Sequence, residues 1–176
     1  MGLLNDNNTE LFIKGLSIDW NKINEDSYLN NIPSIFGINE LKFNKPITFF
    51  VGENGSGKST LLEAIAVSHG FNPEGGTKNY NFSTYDLHSE LCDAMRLIRG
   101  YSKPEWGYFL RAESFLAIAQ SNFKGNGLYL LDEPEAALSP QRQLSLLFEI
   151  VECAKNNSQC FFYYLCYGRC SLPLYL

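Results

Sequence analysis

The run Ile47-Thr48-Phe49-Phe50-Val51-Gly52-Glu53-Asn54-Gly55-Ser56-Gly57-Lys58-Ser59-Thr60 constrains this chain more than any other stretch. Its first five residues, opened by Pro46 and closed by a glycine, are β-branched or aromatic and read as a short buried parallel strand. Gly52 to Ser59 fits the spacing G-x-x-x-x-G-K-[ST]. Lys58 to His69 continues as a helix, with Leu61, Leu62, Ile65 and Ala66 on a broad apolar face. Glycines let such a bend curl until several N–H groups converge on one point, and the helix N-terminus adds its positive dipole there. That geometry suits a polyphosphate. Gly52, Glu53, Asn54, Gly55, Ser56, Gly57, Lys58, Ser59 and Thr60 are expected to cradle ATP. Lys58 reaches the β- and γ-phosphates, the Ser59 hydroxyl ligates Mg2+, and Thr60 donates to the α-phosphate.

A second stretch, Leu128-Tyr129-Leu130-Leu131-Asp132-Glu133-Pro134, has four apolar residues that bury a strand and deliver two carboxylates to its carboxyl end. Parallel sheets place ligands at that end. Asp132 is the expected metal holder, and Glu133 the general base that orients or deprotonates the attacking water. The plainer alternative is a pair of solvated carboxylates on a turn.

Between these landmarks, Leu11 to Ile18 and Glu40 to Phe43 read as strands, separated by a polar, Asn-rich loop with Pro33. Gly70 to Ser83 reads as loop. The spacing of Leu87, Leu91, Ala94 and Ile98 predicts a helix from Thr84, ended by Gly100. Tyr108-Phe109-Leu110 is a short strand and Phe115 to Gln120 a short helix. Pro140 to Asn156 is a helix with Leu144, Leu147, Val151 and Ala154 along one face, and Cys160 to Leu165 a third buried strand. Strands alternating with helices imply an α/β fold with a mainly parallel sheet flanked by helices.

The 176 residues leave room for a single domain over 1–176. A net charge of −5 gives no general attraction to nucleic acid or anionic membrane. The polar N-terminus carries no secretory signal, and the apolar tail from Cys160 is too short to span a bilayer, so a cytoplasmic location is expected. Cys92, Cys153, Cys160, Cys166 and Cys170 form no CxxC pair, which favours reduced thiols over a zinc site. Trp20 and Tyr28 are candidate base platforms, though such aromatics more often simply pack.

Asp132-Glu133-Pro134-Glu135-Ala136-Ala137-Leu138-Ser139-Pro140 resembles the extended Walker B and D-loop of ABC-class ATPases, and GENGSGKST over Gly52 to Thr60 is the form typical of that class. More narrowly, Pro46 to Asn81, Phe109 to Phe115 and Gly125 to Gln143 resemble small bacterial stand-alone ABC-like AAA ATPases, over most of residues 10–159. The resemblance implies an ABC-type P-loop NTPase fold with a small N-terminal antiparallel β part. It also implies a homodimer that sandwiches ATP, with Glu135 to Ser139 at the interface. Arg111 to Phe115 would stand in the place of the Q-loop, with Glu113 near the metal or water.

The chain departs from that family twice. Nothing between Glu113 and Leu128 reads as the Ser/Gly-rich signature motif. An internal deletion within 113–127, joining two Glu-Ser-Phe copies at Glu113-Ser114-Phe115, or a diverged signature would account for it. Beyond Cys160, where a switch histidine is expected, the chain reads Phe161 to Cys170 with no His, as a frameshifted or truncated terminus would. Three readings stay open: a competent ATPase, a nucleotide-binding protein defective in hydrolysis, and a P-loop kinase. The last is disfavoured by a D-loop after Asp132-Glu133.

Overall fold

The computed structural model describes residues 10–77, 90–111, 123–134, 138–165 and 174–175. In chain order its strands are β1 (Ile13–Ile18), β2 (Glu40–Lys42), β3 (Ile47–Gly52), β4 (Gly76–Thr77), β5 (Met95–Arg99), β6 (Trp106–Leu110), β7 (Gly127–Asp132), β8 (Gln159–Leu165) and β9 (Leu174–Tyr175). The helices are α1 (Lys58–His69), α2 (Glu90–Ala94) and α3 (Pro140–Lys155). The fold is mixed α/β. Four parallel strands, β6-β7-β8-β3, form the main sheet, with β4 and β9 antiparallel on its two edges. A separate antiparallel sheet has the order β2-β1-β5.

The central strands are apolar on both faces because both faces are covered. Along β7, Leu128 and Leu130 join the cluster that holds Leu61, Leu62 and Ile65 of α1, while Tyr129 and Leu131 join Leu146, Ile150 and Ala154 of α3. Along β8, Phe161 and Tyr163 face the α1 side and Cys160 and Phe162 the α3 side. The period of two thus assigns successive residues of one buried strand to two separate cores. Among the described residues no helix is long and apolar enough to cross a membrane.

Three sequence expectations need correction. The helix predicted through Ile98 ends at Ala94, and Met95–Arg99 is strand β5; its predicted start at Thr84 lies outside the described residues. β2 covers only one edge of β1, so the other edge needs hydrogen-bond partners. β5 supplies them from Ile13↔Arg99 to Ile18↔Met95. Gly100 does not cap a helix: its N–H donates to the Phe12 carbonyl at 2.9 Å, and a Cβ there would lie 1.9 Å from the Leu11 carbonyl oxygen. Helix α3 has the predicted extent but a different inner face. Leu146, Ile150, Cys153 and Ala154 are buried, while Leu144 and Leu147 are exposed. Apolar residues surround so much of this helix that periodicity allows two faces, and contact with β7 and β8 selects one. Strands β4 and β9 lie in segments for which the sequence predicts a loop and a frameshifted or truncated terminus.

Besides a shared apolar core, a buried side chain links the two sheets by hydrogen bonds. Gln159, fully buried at the start of β8, accepts from the Ile13 N–H at 2.8 Å and donates to the Ile13 carbonyl at 2.7 Å. Its amide therefore acts as a piece of strand for β1. Replacing Gln159 by Leu keeps the bulk but strands two buried backbone groups. The expected loss is about 2–4 kcal/mol of folding stability, read as a lower urea midpoint.

Candidate functional site

Strand β3 ends at Gly52, and the chain turns through Gly55 (φ +77°) and Gly57 (φ +85°) before α1 begins at Lys58. Gly57 occupies the N-cap position in a left-handed conformation and offers no side-chain acceptor. A Cβ on it would meet Ile32 at 2.6 Å and Ile35 at 2.7 Å, so the segment after the second 3-10 turn (Tyr28–Asn31) packs directly on the bend. Ser34 of that segment donates its hydroxyl to the Ser56 carbonyl. At Gly52 a Cβ would sit 2.9 Å from Ser56 Oγ and 3.4 Å from Lys58 Nζ, filling the cradle. The first-turn amides of α1 are thus left without a side-chain cap, and no acidic residue lies in that turn.

Lys58 is buried, with its ammonium turned back into the bend. It donates to the Glu53 carbonyl and to Ser56 Oγ (2.6 Å), and lies over the Tyr163 ring, 4.7 Å from its centre. Burial pulls its pKa below the ordinary lysine value, against the upward pull of Glu133, Glu53 and Asp132. Asp132, also buried, ends β7 two strands from β3, because β8 lies between them. Ser59 closes that gap: its hydroxyl donates to Asp132 Oδ1 at 3.1 Å. Burial raises the Asp132 pKa; the Ser59 hydrogen bond and the Arg111 charge oppose this, and Glu133 and Glu63 reinforce it. Glu133 follows with φ +48°, a left-handed conformation costing a non-glycine residue about 1–2 kcal/mol.

The structure therefore gathers Gly52, Glu53, Ser56, Gly57, Lys58, Ser59, Asp132 and Glu133 at the carboxyl ends of β3 and β7. Asn54 and Gly55 form the exposed tip of the bend, and Thr60 is half-buried in the first turn of α1. Glu135, Ala136, Ala137, Glu113, Ser114, Phe115, Cys166 and Cys170 lie outside the described residues. Trp20 packs edge-on against Phe36 and donates to the Ile38 carbonyl at 2.9 Å, a packing role. One contributor escaped the sequence: Tyr163 reads only as a core strand residue. Arg111 falls in the segment that the resemblance places at the Q-loop, but its pairing with Glu63 was not expected. The available signal was the placement of Glu63 four residues after Ser59, on the same face of α1.

Among the described residues no group of three or more His, Cys, Asp or Glu side chains is placed to hold a metal ion. Ser59 and Asp132 form a pair of hard oxygen donors beside an anion cradle. That set suits a small divalent cation whose coordination is completed by phosphate and water. An open hollow of about 470 Å3 lies elsewhere, on the antiparallel sheet, lined by Lys14, Glu40, Lys42, Phe43 and Ile98 among others. No residue of the glycine bend reaches it, and its mixed charges select no ligand.

A family model described as an AAA domain matches residues 28–97. The match runs from the second 3-10 turn through β3, the glycine bend and α1 into β5. It supports nucleotide binding and ATPase-type chemistry. No curated protein and no solved structure matches the chain.

Two substitutions test this geometry. Gly57→Ala forces a Cβ into a left-handed backbone and against Ile32 and Ile35; an expected loss of about 2–4 kcal/mol would appear in urea unfolding. Asp132→Asn acts in the opposite direction. Because burial raises the folded-state pKa, ionising Asp132 costs the folded chain more than the unfolded one. That cost is absent below the unfolded value of 3.8 and develops as pH rises through the folded pKa. The amide oxygen of the variant still accepts from Ser59. Asp132→Asn should therefore raise the ligand-free urea midpoint at pH 7 and leave it unchanged near pH 3.

Proposed function

We propose that this chain binds ATP with Mg2+ through a Walker A P-loop at Gly52, Glu53, Asn54, Gly55, Ser56, Gly57, Lys58, Ser59 and Thr60, opposite a Walker B carboxylate, Asp132. One observation carries the reading: a buried ammonium, Lys58, turned into a glycine bend at a helix N-terminus that no side chain caps. Such a site has donors in excess and a positive dipole, and a polyphosphate satisfies both. Lys58 exchanges its contacts with Glu53 and Ser56 for phosphate oxygens. Ser59 and Asp132 hold Mg2+, which neutralises charge on the phosphates when bound. The AAA-domain match over residues 28–97 supports the nucleotide.

Hydrolysis of ATP to ADP and phosphate is the activity that the ABC-type resemblance implies, coupled to closure of a homodimer. Glu133, whose carboxylate acts electrostatically on both Lys58 and Asp132, is the candidate to orient or deprotonate the attacking water. The signature motif and switch histidine are not found in the sequence, and each donor missing from the γ-phosphoryl group costs about 10²–10³ in rate. The reading is therefore ATP binding with weak or no turnover. A fully competent ATPase is the alternative.

Calorimetric titration of Mg·ATP into wild type and Lys58→Ala tests the first half. Binding in wild type that weakens about 10- to 100-fold in Lys58→Ala is expected. Correctly folded wild type that gives no binding overturns the proposal. Phosphate release tests the second half: multiple-turnover hydrolysis at rates of about 1–100 s⁻¹, abolished by Glu133→Gln, would show a competent ATPase instead.

A further inference from the structure

Arg111 directly follows β6 and has no part in the phosphate contacts described so far. Strands β6 and β7 run in parallel with Leu110 opposite Leu131, so Arg111, just past β6, is aligned with Asp132 at the end of β7. The guanidinium pairs with Glu63 at 3.5 Å and donates from Nη1 to the Pro73 carbonyl at 3.2 Å. Glu63 and Ser59 are four residues apart on α1 and so share a face. Through them one helix face touches the ends of two neighbouring strands: Glu63 meets Arg111, and Ser59 meets Asp132 at 3.1 Å. Glu63 and Glu133 place negative charge near Asp132, and the Arg111 guanidinium beside Glu63 places a positive charge there.

We propose that Arg111 is a positioning residue, a resident positive charge that competes with the divalent cation for Asp132 and so sets the Mg2+ concentration at which the site loads. The inference rests on the reading that Ser59 and Asp132 receive the cation. A positive charge fixed beside a carboxylate lowers that carboxylate's affinity for any second cation. The guanidinium is held on two sides, by Glu63 and by the Pro73 carbonyl, on the face of α1 that also carries Ser59 to Asp132. Its side chain is 42% exposed, and screening by water limits its effect to a modest factor.

The test is calorimetric ATP binding at a series of free Mg2+ concentrations in wild type, Arg111→Met, Arg111→Lys and Glu63→Gln, with thermal melts to check folding. Arg111→Met should lower the half-saturating Mg2+ concentration by about three- to tenfold. Arg111→Lys, which keeps the charge, should stay within about twofold of wild type. Glu63→Gln should raise the concentration by about threefold, because it removes a negative charge and leaves the guanidinium to Asp132 alone. A purely structural tether would give no such opposite pair and no rescue by Lys. A folded Arg111→Met with an unchanged or raised Mg2+ requirement overturns the inference. Should that variant fail to fold, an unchanged requirement in Glu63→Gln overturns it equally. If wild type binds ATP and the variants match it, only this inference falls; if wild type binds no ATP, the functional reading falls with it.

Discussion

The parallel pairing of β8 on both of its edges is the constraint on which the rest of the molecule depends. On one side it runs with β3 from Ile47↔Cys160 to Gly52↔Leu165, and on the other with β7 from Leu128↔Gln159 to Asp132↔Tyr163. Three strands inserted in one direction bring their carboxyl ends to one edge. Gly52 and Asp132, far apart in sequence, then face the same end of the sheet, and Tyr163 lies between them as the surface over which Lys58 is held. Helix α1, crossing the sheet from that edge, needs only its first turn to carry Ser59 to Asp132. The same pairing explains why β7 is buried along its whole length: α1 covers one face and α3 the other.

Two sets of buried polar groups contrast in this structure. Gln159 and Tyr129 are buried and satisfied. Tyr129 both donates to the Lys124 carbonyl (2.8 Å) and accepts from the Lys124 N–H (2.7 Å), and burial pushes its phenol up to about 12. These groups hold turns and sheets together and leave nothing to spare. At the edge of β3 and β7 the pattern reverses. Lys58 is pulled down and Asp132 pushed up by loss of water, and Glu133 sits in a left-handed conformation. Opposite charges are close there without fully pairing. Folding by itself gains little from such an arrangement, and strain of this kind concentrates at sites where a ligand completes the balance.

Local pattern recovered a good share of the fold. The helix predicted over Lys58 to His69 coincides with α1, and the expected strands at Ile47, Leu128 and Cys160 coincide with β3, β7 and β8 to within a residue or two at each end. Each is a short stretch whose composition, glycine punctuation and length agree with one another. Where the pattern was ambiguous, the prediction missed. The Leu87 to Ile98 spacing suits a helix, yet Met95–Arg99 lies beside an unpaired strand edge and pairs with it. Helix α3 has apolar residues on more than one face, and only the sheet beneath decides which of them are buried.

The sequence by itself determined the glycine bend and its neighbours, because strand, tight turn and helix start are all local requirements written within Pro46 to His69. It also pointed to Asp132 at the carboxyl end of a buried strand, with Glu133 next to it, where β7 ends. It could not say which strand lies beside which, since pairing order is settled by packing over long separations. Only the tertiary structure decided that β8 separates β3 from β7, that Ile32 and Ile35 press on Gly57, and that Arg111 and Glu63 meet beside Asp132. Those contacts join residues distant along the chain, and their energies exist only after the sheet has formed.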